Sequence, residues 1–278
     1  MSQTTVPHLT AELAISTVSS QRFVPYVCAL IRSIRTHSPE AFLRVHLINP
    51  SAEGEAEVRS LVFLGEVTAE HRELSSDEEA AHASNSRVHI TRELLERGFP
   101  LVVNMDADAI VRRDVVPVVR QALASHDVLL FRLARKKKHS EGEKLHFLAC
   151  MSVFQNTPGA RAFVEQWTSE LEPMRLMWFG DQIAMYRAAE ATKLTARIGD
   201  IPYSLIDWQF AFTSVVWVAK GQRKYSDEIY TLELERYGAP PPGIFRSAVI
   251  TARQTVLRGE FLVKIFRIWA ISLLLRLR

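Results

Sequence analysis

Two aspartates one residue apart, Asp106 and Asp108, end the apolar run in "LVVNMDADAIV" (101–111). Carboxylates that close repel each other, and both stay ionised only beside positive charge. A divalent cation is the obvious source of that charge, because hard cations take oxygen ligands. The run before the pair reads as a buried strand, so the acids stand at a strand tip. In parallel α/β sheets that is where ligands bind.

The elements around this tip follow from periodicity. "AELAISTVS" (11–19) and the alternating "FLRVHLI" (42–48) read as strands, and "FVPYVCALIRSIRTH" (23–37) as a helix burying Val27, Leu30, Ile31 and Ile34. "EAEVRSLVFLG" (55–65) predicts a short helix stopped at Gly65. "SDEEAAHASNSRVHITRELLERG" (76–98) predicts one or two helices ending at Gly98 and Pro100. "DVLLFR" (127–132) and "FLACMSVFQ" (147–155) read as strands, separated by a polar loop, "ARKKKHSEGEK" (134–144). The "RKKK" run is either a solvated face or part of a loop that closes over an anionic ligand. "PGARAFVEQWTSELE" (158–172) is amphipathic, with Ala160, Phe163, Val164, Trp167 and Leu171 on the core side. "WFGDQIAMYRAAE" (178–190) enters a helix with Asp181 as its N-cap. Strands and helices that alternate in this way indicate an α/β sandwich around a largely parallel sheet.

At 278 residues and 47% apolar composition, the chain can build one large core without staples. Its two cysteines, Cys28 and Cys150, sit in apolar contexts and read as buried thiols in a reducing compartment. The N-terminus lacks the basic start and apolar stretch of a signal peptide, so a cytoplasmic location is expected. From Arg253 onward, six basic residues face Glu260 alone, which gives the tail +5 of a net +3 and leaves the body at −2. An acidic body argues against nucleic acid as a partner.

Five segments in order resemble a known family: "ISTVSSQRF", "SRVHITRELLERGFPLVVNMDAD", "NTPGARAFVEQW", "GDQIAMYRA" and "WVAKGQRK". The chain is similar to nucleotide-sugar-dependent transferases of the glycosyltransferase-A fold, the group that contains glycogenin and bacterial lipopolysaccharide galactosyl- and glucosyltransferases. The similarity runs over roughly residues 12 to 226. It implies a mostly parallel central sheet and transfer of a hexose from a nucleoside diphosphate sugar, UDP-linked, with retention of configuration. It also implies Mn²⁺ or Mg²⁺ held by Asp106 and Asp108. The same resemblance assigns Thr17, Val18 and Ser19 to the nucleotide base and Phe23 to stacking on it, although Ser20 and Gln21 stand where the family often has an acid or asparagine. Arg87, with Arg92 as the alternative, is assigned to the diphosphate. Asp181 and Gln182 fall near the donor sugar and the acceptor. Gly221 and Lys224 match the end of the family's H-x-x-G-x-x-K segment, but Val218 takes the histidine position and no histidine follows His146. Water or an oxygen ligand such as Asp207 would then complete the metal site.

Residues 1–238 form the expected transferase domain; the Pro-rich "APPPG" and a basic amphipathic helix, "LRGEFLVKIFRIWAISLLLRLR" (257–278), make up the rest. The longest uncharged run there is far short of the roughly 20 residues that span a bilayer. An interfacial helix suits the mixture and would hold the enzyme on the inner face of the membrane beside a glycan or lipid-linked acceptor in surface-polysaccharide synthesis. A helix packed on the body is the alternative. Two other functions stay open. One is a silent membrane-associated scaffold of the same fold, which Val218 keeps in view. The other is a haloacid-dehalogenase-type phosphatase, which needs its first aspartate near the domain start and Thr or Val where Ile110 stands.

Overall fold

The computed structural model describes residues 11–138, 144–219, 221, 223–238, 255–256 and 259; side chains at 134–138, 144, 223 and 224 lie outside that description. In chain order the elements begin with β1 (Leu13–Ser20), α1 (Val24–His37), β2 (Phe42–Ile48), α2 (Ala52–Leu61), β3 (Gly65–Glu70) and α3 (Ser76–Glu96). There follow β4 (Leu101–Met105), β5 (Ala109–Val111), α4 (Val116–Leu123), β6 (Val128–Lys138), β7 (Lys144–Gln155), α5 (Pro158–Leu171) and α6 (Gly180–Thr192). The chain continues through β8 (Ile198–Asp200), β9 (Ile206–Asp207), β10 (Val216–Val218), α7 (Arg223–Ser226) and α8 (Glu228–Tyr237).

Seven strands pair in the order β3-β2-β1-β4-β7-β6-β8. Only β7 runs against its neighbours. The parallel strands therefore present their carboxyl ends along one edge, and Asp106 follows β4 directly onto it. β4 is buried on both faces, which is why it reads as an unbroken apolar run. Its Leu101, Val103 and Met105 join a core layer with α1 and α4, while Val102 joins the opposite layer with α3, α5 and α6. A second sheet orders β5-β10-β9. The chain divides into two compact units, Met1–Val218 and Ala219–Arg278. In the second, Asp227 caps α8 through Oδ1, which accepts from the amides of Ile229 and Tyr230 at 3.1 and 3.4 Å.

The elements expected at 42–48 and 101–105 lie where periodicity puts them, and α5 buries the five residues expected of it. α3 is one helix. Ser75 Oγ accepts from the Glu78 amide while the Glu78 carboxylate accepts from the Ser75 amide, a reciprocal cap. Three expectations are corrected. Gly65 does not end a helix; α2 stops at Leu61 and Gly65 opens β3. At φ +150° its place against β2 leaves no room for a side chain, since a Cβ would lie 2.0 Å from the Leu43 carbonyl oxygen. The span 134–144 is not all loop, because β6 runs on to Lys138 and pairs there with β7. Asp181 is not the N-cap of α6; that position is Phe179, in a left-handed conformation at φ +65°. Cys28 and Cys150 are buried free thiols, and burial pushes the Cys28 thiol up to about 12. Apart from residue 259, the expected tail helix at 257–278 lies outside the described residues. Among the described residues no helix is long and apolar enough to cross a membrane.

Asp127 ties the start of β6 to the start of α5 and to the turn before β8. Its carboxylate accepts from the Thr157 hydroxyl at 2.8 Å, the Arg197 amide at 2.8 Å and the Arg197 guanidinium at 2.9 and 3.2 Å. The Arg197 contacts foremost hold its pKa well below the ordinary carboxylate range. Asp127→Asn should cost about 1–3 kcal/mol at pH 7 by urea denaturation. A depressed folded pKa adds stability above the unfolded value and loses it as pH falls, so the gap to wild type should narrow below about pH 4.

Candidate active site

The site is built at the end of β4. The Asp106 amide donates to the Cys150 carbonyl at 3.0 Å, and the Ala109 amide closes a turn onto the Asp106 carbonyl at 3.0 Å. Asp106 is about a third exposed (34%) whereas Asp108 is buried. β1 runs alongside, paired to β4 up to Ser16 against Asn104, so Thr17 to Ser20 pass the same tip. Strand alternation sends Thr17 and Ser19 to the α1 face and Val18 to the α3 face, where it packs. Thr17 is buried with its hydroxyl unpartnered, and Ser19 donates to the Ser20 carbonyl. Phe23 packs half-buried on the core, with the Arg22 guanidinium 4.9 Å from its ring centre.

The two arginines differ in where they lie. Arg92 lies on the surface beside Glu96 at 3.5 Å. Arg87 reaches inward, its guanidinium 3.0 Å from Asp106 Oδ1 and 3.4 Å from Asp181 Oδ2, and it also donates to the carbonyls of Ser84 and Ala149. Burial works against its charge, but the two carboxylates outweigh that and raise its pKa. The positive charge beside Asp106 is thus a guanidinium already in the chain, where the sequence pointed to a bound cation.

Asp181 is 1% exposed. Burial pushes its carboxyl up to about 6, Arg87 pulls it down, and Asp106 pushes it up again. Its Oδ1 accepts from the Gln182 amide at 2.9 Å, while Oδ2 has no hydrogen-bond partner. Gln182 Oε1 is also buried without one. Buried acceptors of this kind are rare unless a ligand or water completes them. Hydroxyl donors would satisfy both.

Asn104 supports the arrangement from below, unanticipated by the sequence reading; its one signal is an amide inside an apolar strand. Its side chain accepts from Ser16 Oγ and donates to Thr91 Oγ1 at 2.7 Å and Ser152 Oγ at 3.1 Å. Thr91 in turn donates to the Arg87 carbonyl at 2.7 Å. One amide therefore joins β1, β4, β7 and the turn of α3 that carries Arg87.

Among the described residues, no group of three His, Cys, Asp or Glu could hold an ion. Val218 pairs with Ala109 in the β10–β5 register, so the side chain beside the acidic turn is aliphatic. Asp207 Oδ1 accepts from the amides of Gln209 and Ala211 and holds its own turn, while its Oδ2 is buried without a hydrogen-bond partner. Two carboxylates suit a hard divalent cation in kind but not in number, since Mg²⁺ and Ca²⁺ take about six oxygens or more. Gly221, at φ +62°, and Lys224 belong to the second unit, and the Lys224 side chain lies outside the described residues.

Comparison with known proteins bears on the family and the fold. Residues 58–235 match the profile of the nucleotide-diphospho-sugar transferases. No curated protein matches by sequence. Among solved structures, galactosyltransferase LgtC in complex with donor and acceptor sugar analogs superposes with a TM-score of 0.55 at 14% identity, over 82% of this chain and 98% of that one. The bifunctional glycosyltransferase WbbM superposes at 0.58 and 15% identity, over 90% of this chain and 53% of that one. GlyE of Streptococcus pneumoniae superposes at 0.54 and 12%, over 86% and 62%. This chain thus spans about half of WbbM, and the likenesses establish the fold.

The raised Asp181 pKa has a consequence for stability. A carboxyl whose folded value lies above its unfolded value stabilises the protein most at low pH and less as pH rises through the folded value. The melting temperature of wild type minus that of Asp181→Asn should therefore fall between about pH 4 and 7. Calorimetric scans of both proteins across that range check it.

Proposed function

The chain belongs to the nucleotide-diphospho-sugar transferase family, and on that premise we propose that it moves a hexose from a UDP-linked donor to a glycan or lipid-linked acceptor. The observation that carries this reading is the Asp106–Arg87–Asp181 cluster at the carboxyl edge of the sheet, with acceptor atoms left open beside it.

Breaking the bond between the anomeric carbon and the diphosphate puts negative charge on the leaving phosphate and positive charge on the sugar ring. Asp106 and Asp108 would hold Mn²⁺ or Mg²⁺, with diphosphate oxygens and water as the remaining ligands; the ion supplies charge stabilisation to the leaving group. Arg87 sets a positive charge between the Asp106 and Asp181 carboxyl groups, and Lys224 is assigned to the diphosphate on sequence grounds. The buried Asp181 carboxylate can face positive charge developing on the ring, where low local dielectric strengthens the interaction. Gln182 Oε1 can accept a sugar hydroxyl. Thr17, Val18, Ser19 and Phe23 are assigned to the nucleoside, and retention of configuration is part of the proposal. The phosphatase reading has no place in this family. A silent scaffold remains the second reading, favoured by Val218 beside the acidic turn.

Calorimetry with UDP-glucose and UDP-galactose plus Mn²⁺ tests the proposal. Asp108→Ala should leave the far-ultraviolet spectrum unchanged and weaken donor binding by more than the roughly 10–100-fold that a supporting residue costs. Absence of binding to any nucleotide sugar sinks the reading, and binding without donor hydrolysis favours the scaffold. From the sequence of residues 257–278 we also propose peripheral attachment to the inner face of the membrane. Deleting those residues should release the protein from anionic liposomes, and unchanged sedimentation would refute the attachment.

A further inference from the structure

The four amides that open α6 can be accounted for one by one. Gly180 donates to the Met177 carbonyl at 3.0 Å, and Gln182 and Ile183 donate to the Phe179 carbonyl at 3.0 and 3.1 Å. The remaining amide, Asp181, finds its acceptor outside the segment, in Asn85 Oδ1 at 3.0 Å. The opening turn of a helix normally takes a side-chain cap from the preceding residue. Phe179 cannot supply one, and no side-chain cap bond is made there. Asn85, on α3, caps α6 from another helix.

The other end of the Asn85 amide completes the clamp. Nδ2 donates to the carbonyls of Arg175 at 2.7 Å and Met177 at 3.3 Å, and lies 3.5 Å from that of Met174. Asn85 is buried, and Gly180 leaves the space this demands, since a Cβ there would sit 2.6 Å from the Met174 carbonyl oxygen. From the opposite side Trp167 Nε1 donates to the Asp181 carbonyl at 2.8 Å. The backbone of Asp181 is therefore held at both its amide and its carbonyl, while its carboxylate meets Arg87 two residues along α3 from Asn85. A carboxamide, with an acceptor oxygen and a two-proton donor nitrogen on one planar group, serves both halves of this contact. Being neutral, it leaves the Arg87 charge balance alone.

We infer that Asn85 is a positioning residue that holds the Asp181 carboxylate in its working place at the donor sugar; this rests on the transferase reading above. Asn85 touches no substrate in this account. Its effect passes through Asp181, and a misplacement of about 1 Å can cost about 100-fold in rate. The loss should therefore fall on turnover rather than on donor affinity.

The test compares Asn85→Ala, and Asn85→Ser as the milder variant, with wild type and with Asp127→Asn, which loses a buried contact elsewhere in the fold. Donor hydrolysis with a UDP-hexose and Mn²⁺ is followed at a temperature where all are folded by circular dichroism. Deuterium exchange over residues 178–184 is measured in parallel. A positioning role gives a kcat lower by about 10–100-fold with donor KM within about threefold of wild type. It also gives faster exchange at 181–183, with neither effect in Asp127→Asn. A folded Asn85 variant with kcat within about twofold of wild type overturns the inference, as does an equal loss in Asp127→Asn. If wild type hydrolyses no donor, the transferase reading fails by itself. The exchange data then decide the clamp, and unchanged exchange at 181–183 overturns it.

Discussion

One guanidinium holds this site together. Arg87 lies between Asp106 and Asp181 with its side chain only 13% exposed, and withdrawing a charge from water is costly unless an opposite charge meets it. The converse binds the carboxylates: without Arg87, Asp181 would be a buried acid beside another acid, and both burial and Asp106 already push it toward protonation. The helix α3, the tip of β4 and the opening of α6 must therefore arrive at one point. β7 joins them through the Ala149 carbonyl, which accepts from the same guanidinium.

Two asparagines place the elements that deliver these charges. Asn104 sits under the tip and pairs with the hydroxyls of Ser16, Thr91 and Ser152, so its own amide crosses the apolar strand satisfied. Asn85 works one layer out and sets the opening of α6. Neither carries charge, and this suits their position, because a further ionised group beside Arg87 would disturb the balance they support. Among the described residues, the buried acceptor atoms without a hydrogen-bond partner include Thr17 Oγ1, Asp181 Oδ2, Gln182 Oε1 and Asp207 Oδ2. Buried acceptors left open in this way are atoms that a ligand can complete. The sugar hydroxyls of the proposed donor fit that need.

Local pattern carried much of the fold. The alternation of 42–48, the apolar run of 101–105 and the five-residue face of α5 each answer to nearest neighbours along the chain, and each lies where its periodicity put it. In sequence, a glycine after a helix and a glycine forced by a neighbouring strand, as Gly65 is, look alike. Only the approach of the Leu43 carbonyl tells them apart. β3 escaped notice for a related reason, being an edge strand with little apolar alternation.

For the site, the acidic pair at a strand tip, the acid and amide that open α6, and the aliphatic Val218 in place of a histidine are all legible along the chain. Tertiary structure alone decided that Arg87 and not Arg92 meets the acids, that Asp181 is buried at the second residue of its helix, and that Asn85, 96 positions away, supplies its missing cap. The physical reason is range. Periodicity and turn chemistry act over a few residues, while a buried charge or an orphaned amide is satisfied by whichever group packing brings within about 3 Å, and no local pattern records which group that is.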